Sequence, residues 1–499
     1  MVIDMSFFST RGESCVTASQ AILRGIAPDG GLYVPAMIPA VSPERLTKLT
    51  DMSYEERAVS VLKRFLEDYS LPEIENAVHA AYSPERFADP AIAPTRKLDS
   101  GTWVLELFHG PTLAFKDMAL QLLPHLLKLA AEKNGETREV CILVATSGDT
   151  GKAALEGFRD VPGTSCTVFY PLDGVSDVQK LQMVTTGGEN TRVIAVRGNF
   201  DDAQTGVKEL FTSEEFRGEM AQMGKVLSSA NSINLGRLVP QVAYYFSAYA
   251  DLLREHAIAP GDPVNFCVPT GNFGNILAGY YAMMMGLPVN KLICASNRNN
   301  VLTDFFRTGT YSTHRMFFKT ISPSMDILVS SNLERLLYEA ADRDGALIRT
   351  WMDQLKECGS YSVGDQRTEW LMSTFWADCT DNRNTLAEIK MRWEQDRYLF
   401  DPHTAVAGHV LREYRKATQD NTPTVIVATA SPYKFSADVL SALTGDNAGG
   451  DPFKASEELE RITGIPMPQQ VKNLRGLPVR HTAECDRDKM GEAVIRAFT

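Results

Sequence analysis

The feature that most constrains this chain is a rhythm that begins near Gly101: short apolar, β-rich runs alternate with stretches of helical spacing. Val140 to Thr146 precedes a helix from about Thr150 to Phe158, and Cys166 to Tyr170 precedes one around Val175 to Val184. Arg192 to Val196 and Asp201 to Phe211 repeat the pattern. A second alternation starts near Val226. It has a long helix from about Leu235 to Leu253, a strand Val264 to Val268, a helix Ile276 to Gly286 and a strand Lys291 to Ala295. The strand Thr424 to Ala428 and the helix Ser436 to Leu443 complete it. Strands that are apolar on both faces and joined by helices imply βαβ crossovers and parallel sheets. The expected fold is therefore α/β, with open, mainly parallel sheets flanked by helices.

Around this frame the sequence divides into three. Residues 1–95 read as a mainly helical leading domain, with helices near Tyr54 to Leu66 and Leu71 to Tyr82. Residues 96–230 read as a first, smaller α/β domain, and 231–499 as a larger one. Within the larger domain the stretch 310–400 breaks the alternation and reads as a helical insertion. Asn447 to Pro452 reads as an exposed loop.

Composition narrows the function. A net charge of −12 argues against nucleic acid or an anionic membrane as a main partner. The eight cysteines form no CxxC pair and there is no HExxH, so neither a disulfide framework nor a metal site is expected. Met1 to Phe8 lacks the basic and apolar regions of a signal peptide, and the most apolar run, Ile276 to Leu287, is too short to span a bilayer. The expectation is a soluble cytoplasmic protein, monomer or homodimer, acting on a small molecule.

Five stretches carry candidate chemistry. In Phe108 to Asp117, Gly110 and Pro111 end a strand-like run, and an apolar run from Met118 to Leu129 follows with Asp117 as its expected N-cap. Lys116 then sits among Leu113, Ala114, Phe115 and Met118. Apolar neighbours strip hydration from an ammonium and lower its pKa, which suits an amine nucleophile that forms a Schiff base with an aldehyde cofactor. Thr146-Ser147-Gly148-Asp149-Thr150-Gly151-Lys152 lies between a strand and a helix, where free N–H groups and hydroxyls suit a carboxylate. It is not a P-loop, because position 146 is threonine. Gly271-Asn272-Phe273-Gly274-Asn275 opens another helix, with two glycines that let the backbone close on a phosphate. Thr429 and Ser431 offer hydroxyls at a strand end. Asn231, Ser232, Asn234 and Arg237 open the long helix, where the arginine suits a phosphate. Taken alone, each stretch also has a plain reading as a capped or solvated turn. Together they supply a partner for every ligand group of pyridoxal phosphate.

With those residues in view the chain resembles the threonine synthase family, in the fold type II superfamily of pyridoxal-phosphate enzymes. His109 to Asp117, Thr146 to Gly151, Asn231 to Asn234, Gly271 to Asn275 and Asp401-Pro402-His403-Thr404-Ala405 carry the resemblance. Ser9-Thr10-Arg11-Gly12 and Leu23 to Pro35 match the leading domain of the family's longer branch. The resemblance implies two open twisted sheets and an N-terminal cap domain. It implies that Lys116 is catalytic and carries pyridoxal 5'-phosphate, that Gly271, Asn272, Phe273, Gly274 and Asn275 bind the cofactor phosphate, and that Thr429 faces the pyridine nitrogen. Ser147, Gly148, Asp149 and Thr150 would take the substrate carboxylate, and Asn231, Ser232, Asn234 and Arg237 the substrate phosphate. The implied substrate is O-phospho-L-homoserine and the products are L-threonine and inorganic phosphate. The alternatives are another fold type II lyase, such as a threonine dehydratase, and a non-catalytic homologue that binds the cofactor.

Overall fold

The computed structural model describes residues 5–12, 15–146, 148–172, 175, 177–446 and 450–498. Two open sheets organise it. The larger has six strands in the order Phe375–Cys379, Val289–Ser296, Val264–Pro269, Thr424–Ala428, Thr102–Glu106 and Thr95–Lys97. All its neighbours are parallel except the last pair. The smaller has five parallel strands in the order Ala483–Asp486, Thr191–Arg197, Thr164–Pro171, Glu139–Ala145 and Lys225–Ser228. The central strands are buried along their whole length, as a sheet covered by helices on both faces requires.

Strand pairing crosses the linear boundaries expected at 95/96 and 230/231. Thr102–Glu106, just ahead of the candidate lysine, belongs to the larger sheet. The late strand Ala483–Asp486 returns to the edge of the smaller one. Nor is 310–400 a purely helical insertion, because Phe375–Cys379 is an edge strand of the larger sheet. Its five residues are too few for their period to stand out between two helices.

The apolar run after the candidate lysine also differs from expectation. It forms two helices, Asp117–Leu120 and Leu123–Lys133, rather than one. Pro124 lies in the first turn of the second. A proline has no N–H to give and crowds the residue before it, so it starts a helix more readily than it continues one. Asp117 is inside the first helix, not its N-cap. Its carboxylate instead accepts the Thr112 N–H at 2.8 Å and the Thr112 hydroxyl at 2.7 Å, fastening the preceding loop.

Between the layers runs Leu235–Arg254, buried continuously from Leu235 to Leu253. A helix buried on every side has to be surrounded by other elements, and its buried polar side chains, Arg237, Gln241, Ser247 and Asp251, need partners there. The leading domain packs on it through Arg57, whose guanidinium meets Asp251 at 2.7 Å and the Ser247 hydroxyl at 2.9 Å. That domain holds four short helices and a three-stranded antiparallel sheet. Three of its helices start with capping boxes, at Thr17, Ser53 and Ser70.

Candidate active site

The loop carrying Lys116 is fastened to the end of Thr424–Ala428 by backbone hydrogen bonds. Leu107 N–H donates to Ala428 O at 3.0 Å, Phe115 N–H to Thr429 O at 2.8 Å, and Ser431 N–H to Leu113 O at 3.0 Å. Gly110 is required there, since a Cβ would come within 2.6 Å of the Asp117 side chain. Leu113 adopts a left-handed φ of 60°, a conformation that costs a non-glycine residue about 1 kcal/mol. The lysine therefore projects from a rigid corner, with its side chain 11 % exposed.

Its Nζ lies 3.4 Å from Ser324 Oγ and 3.5 Å from Asp149 Oδ2. Ser324 Oγ in turn donates to Asp149 Oδ2 at 3.1 Å. The other carboxylate oxygen, Oδ1, meets Lys434 Nζ at 2.7 Å and Gln179 Nε2 at 3.1 Å. Asp149 thus stands between two ammonium groups. Burial alone would raise its pKa, but Lys434 and then Lys116 outweigh burial and hold it well below the usual carboxylate range. Burial lowers the Lys116 pKa, and the positive charges of Lys434 and Arg237 add to this against the pull of Asp149. Behind Ser324 sits His403. Its Nε2 accepts the Ser324 N–H at 3.2 Å and its Nδ1 meets Asp401 Oδ1 at 2.8 Å. A backbone N–H only donates, so the ring proton is on Nδ1.

This arrangement changes the role expected for Asp149. It is the counter-ion of two lysines and would repel a carboxylate. Ser147 lies outside the described residues. Thr146 Oγ1 takes the N–H groups of Gly148 and Gly151 at 3.0 and 2.9 Å, so part of the expected anion-binding turn is already occupied. Gly148, at φ 141°, has no room for a Cβ, which would meet the Gln179 amide at 2.5 Å.

The turn 271–275 has the opposite character: its carbonyls are held and its N–H groups are free. Ser330 Oγ donates to Gly271 O at 2.7 Å, while Asn332 donates to Asn272 O through N–H at 3.1 Å and Nδ2 at 2.9 Å. Among the described residues the N–H groups of Gly271, Asn272, Phe273, Gly274 and Asn275 have no acceptor. Phe273 takes φ 63° and is kept there by burial against Phe306 and Phe375. The hydroxyls of Tyr244 and Tyr245 hold Asn275 Oδ1 at 2.6 and 2.9 Å, and the buried Asn275 Nδ2 has no partner. Unsatisfied donors gathered at a helix N-terminus, with the buried Asn275 Nδ2 beside them, are what a phosphate dianion would satisfy. The residues present therefore fit the cofactor phosphate. Gly271 faces Ser324, which in turn touches Lys116, so the turn and the lysine share one cleft.

The stretch 231–237 divides. Asn234 is fully engaged: Nδ2 donates to Ile22 O and Ser229 O, and Oδ1 accepts the Gly236 N–H. It caps the helix and holds the leading domain, so it has nothing left for a substrate. Ser232 Oγ lies 3.3 Å from Ser331 Oγ, which contacts Asn272 Oδ1, linking this stretch to the turn 271–275. Arg237 is 3 % exposed, gives one bond to Ala230 O at 2.9 Å, and leaves Nε buried without a partner. Burial pushes its pKa down to about 10. Thr429 is buried beside the lysine loop. Sequence reasoning gave no role to Ser324, Gln179 or Lys434. No local pattern marks the first two, whereas Lys434 stands within the Thr429 motif itself.

Among the described residues no three His, Cys, Asp or Glu side chains gather to hold a metal, and no helix is long and apolar enough to cross a membrane.

Comparison with known proteins agrees along the whole chain. Three family profiles match: "Threonine synthase N terminus" over 6–82, "Pyridoxal-phosphate dependent enzyme" over 90–357 and "Threonine synthase, C-terminal" over 404–485. A threonine synthase from Pseudomonas aeruginosa is 40% identical over 466 residues, covering 93% of this chain and 96% of that protein. "Threonine synthase-like 1" from Macaca fascicularis is 43% identical over 436 residues and 85% of this chain, but the match spans only 58% of that longer protein. Among solved structures, pyridoxal-phosphate-bound threonine synthase from Brucella melitensis superposes with a TM-score of 0.87 at 38% identity, covering 99% of each chain. The yeast threonine synthase gives 0.87 at 31% identity with the same coverage.

Proposed function

The chain belongs to the threonine synthase family of pyridoxal-phosphate-dependent fold type II enzymes, and on that premise we propose that it converts O-phospho-L-homoserine and water to L-threonine and inorganic phosphate. The observation that carries this reading is the pairing, in one cleft, of a desolvated lysine with a turn of unsatisfied N–H donors.

When bound, pyridoxal phosphate supplies an electron sink that acidifies the protons on the substrate's Cα and Cβ. Lys116 would hold the cofactor through its amine, and that same amine would take the proton from the substrate's Cα and return it later as a proton shuttle. The N–H groups of 271–275 and Asn275 Nδ2 would hold the cofactor phosphate. Thr429 would offer the pyridine nitrogen a hydroxyl, which unlike a carboxylate would not hold that nitrogen protonated. Arg237, with its buried free Nε, is the strongest candidate for the substrate's phosphate, assisted by Asn231 and Ser232. Thr150, with the free end of its helix, is the remaining candidate for the substrate carboxylate. His403 and Ser324 keep Asp149 and Lys116 in register.

The test is release of inorganic phosphate from O-phospho-L-homoserine with formation of L-threonine, measured beside release of ammonia from L-threonine. The expected result is turnover of the first and not the second, with loss of at least about 1,000-fold in Lys116→Ala. Ammonia release without phosphate release would make the protein a dehydratase. No turnover of either substrate by the cofactor-loaded chain would make it a non-catalytic binder.

A further inference from the structure

Lys434 is a charged side chain with no exposed surface at all, in a protein that has abundant surface for lysine. Its Nζ gives one bond to Asp149 Oδ1 at 2.7 Å and one to Thr112 O at 2.9 Å. It therefore ties three pieces together: its own turn after Thr424–Ala428, the loop that carries Lys116, and the start of the helix Asp149–Phe158. A buried ammonium is costly unless paired, so this lysine must serve Asp149.

The geometry divides one carboxylate between two amines unequally. Lys434 is 2.7 Å from Oδ1, whereas Lys116 is 3.5 Å from Oδ2 and shares that oxygen with the Ser324 hydroxyl. We propose that Lys434 is a positioning residue for Lys116: it commits the Asp149 carboxylate from the far side, so that the Lys116 amine lacks a full counter-ion and is free to lose its proton. A neutral amine is what a Schiff-base lysine needs in order to attack an aldehyde. The inference rests on the reading of Lys116 as the cofactor-bearing amine, and gives that reading its acid–base mechanism.

Charges face Lys116 from each side. Asp149 approaches from the start of its helix, Lys434 from the turn 432–435, and Arg237 from the central helix. His403, from the helix Pro402–Thr418, acts through Ser324. Only Asp149 is an anion, so removing its second partner has a defined sign. In Lys434→Met the full carboxylate falls to Lys116, and the proton affinity of the amine rises. In Asp149→Asn the anion is gone while Lys434 remains, and the affinity falls. In the double variant both charges are gone, and it returns towards the parent value.

The test is competitive acetylation with acetic anhydride of the full chain freed of pyridoxal phosphate, following the Lys116 peptide by mass spectrometry across a pH series. The titration midpoint is expected to rise by about one unit or more in Lys434→Met and to fall in Asp149→Asn. It is expected to lie near the parent's in the double variant and in Lys434→Arg. An unshifted midpoint in Lys434→Met, or a shift in the same direction in all variants, overturns the proposal. If Lys434→Met does not fold, Asp149→Asn and the double variant still decide it by their order. Failure of the underlying reading would show separately, as no pyridoxyl label on Lys116 after borohydride reduction of the parent.

Discussion

At Gly271 a Cβ atom would lie 2.8 Å from the Ser324 carbonyl oxygen and 3.3 Å from Met325 Cα. Both are backbone, so no rotamer change relieves the clash. Gly271→Ala must push the turn 271–275 away from the segment that supports Lys116. We expect a Kd for pyridoxal phosphate at least about tenfold weaker, roughly 1.4 kcal/mol, with an unchanged far-ultraviolet spectrum. An unchanged Kd in a fluorescence titration would dissociate the turn from the cofactor. Asp149 supports a second prediction. Its folded pKa is held below the usual 3.8, so its ionised form contributes stability above that value and loses it as pH falls through the folded pKa. Asp149→Asn should therefore cost about 3 kcal/mol near neutrality, and the gap in denaturant midpoint should shrink on acidification. A gap independent of pH would mean that the carboxylate's charge is irrelevant. Lys116 was legible because an apolar lysine beside Gly110-Pro111 is unusual within a short window. Ser324 was not, because it reaches Lys116 across 208 residues of chain, and no local pattern encodes such a meeting.

Among the elements, the start of the helix Leu333–Ala340 joins parts of the molecule that lie far apart in the chain. Glu334 receives the Arg11 guanidinium at 2.8 and 2.7 Å and the Thr10 hydroxyl at 2.5 Å. Arg335, wholly buried, donates to Tyr33 O at 2.9 Å, to Ile233 O at 2.5 Å and to Asn332 Oδ1 at 2.5 Å. Asn332 is the residue that grips Asn272 O in the turn 271–275. One helix start thus connects the leading domain, the stretch 231–237 and the turn 271–275. Arg335→Met should destabilise the protein by about 3 kcal/mol, because two buried acceptors and one partly buried one lose this donor. It should also weaken pyridoxal phosphate binding in the molecules that fold. A urea midpoint and a Kd both equal to the parent's would show that the connection carries nothing. The alternating strands and helices were readable because buried parallel strands are apolar on both faces. The break at Leu122 and the strand Phe375–Cys379 were not, since each depends on which neighbour the segment meets.

Across the whole molecule, the two sheets trade segments along the chain. The strand leading to Lys116 belongs to the larger sheet, while Asp149 starts a helix that follows Glu139–Ala145 in the smaller one. Lys434 returns from the larger sheet to close the cluster. The cleft is therefore assembled only when both sheets are in place, which is why the linear division at 95/96 and 230/231 missed how the strands pair. The phosphate turn and lysine were visible as separate motifs; their junction through Ser324 and Lys434 is a property of the fold. The account stands on one bond, from the Lys116 amine to pyridoxal phosphate. Borohydride reduction of the cofactor-loaded protein, followed by peptide mapping, measures it directly. The predicted result is a single pyridoxyl group on Lys116, absent from Lys116→Ala. A label on Lys434 or any other lysine, or none at all, would contradict the account.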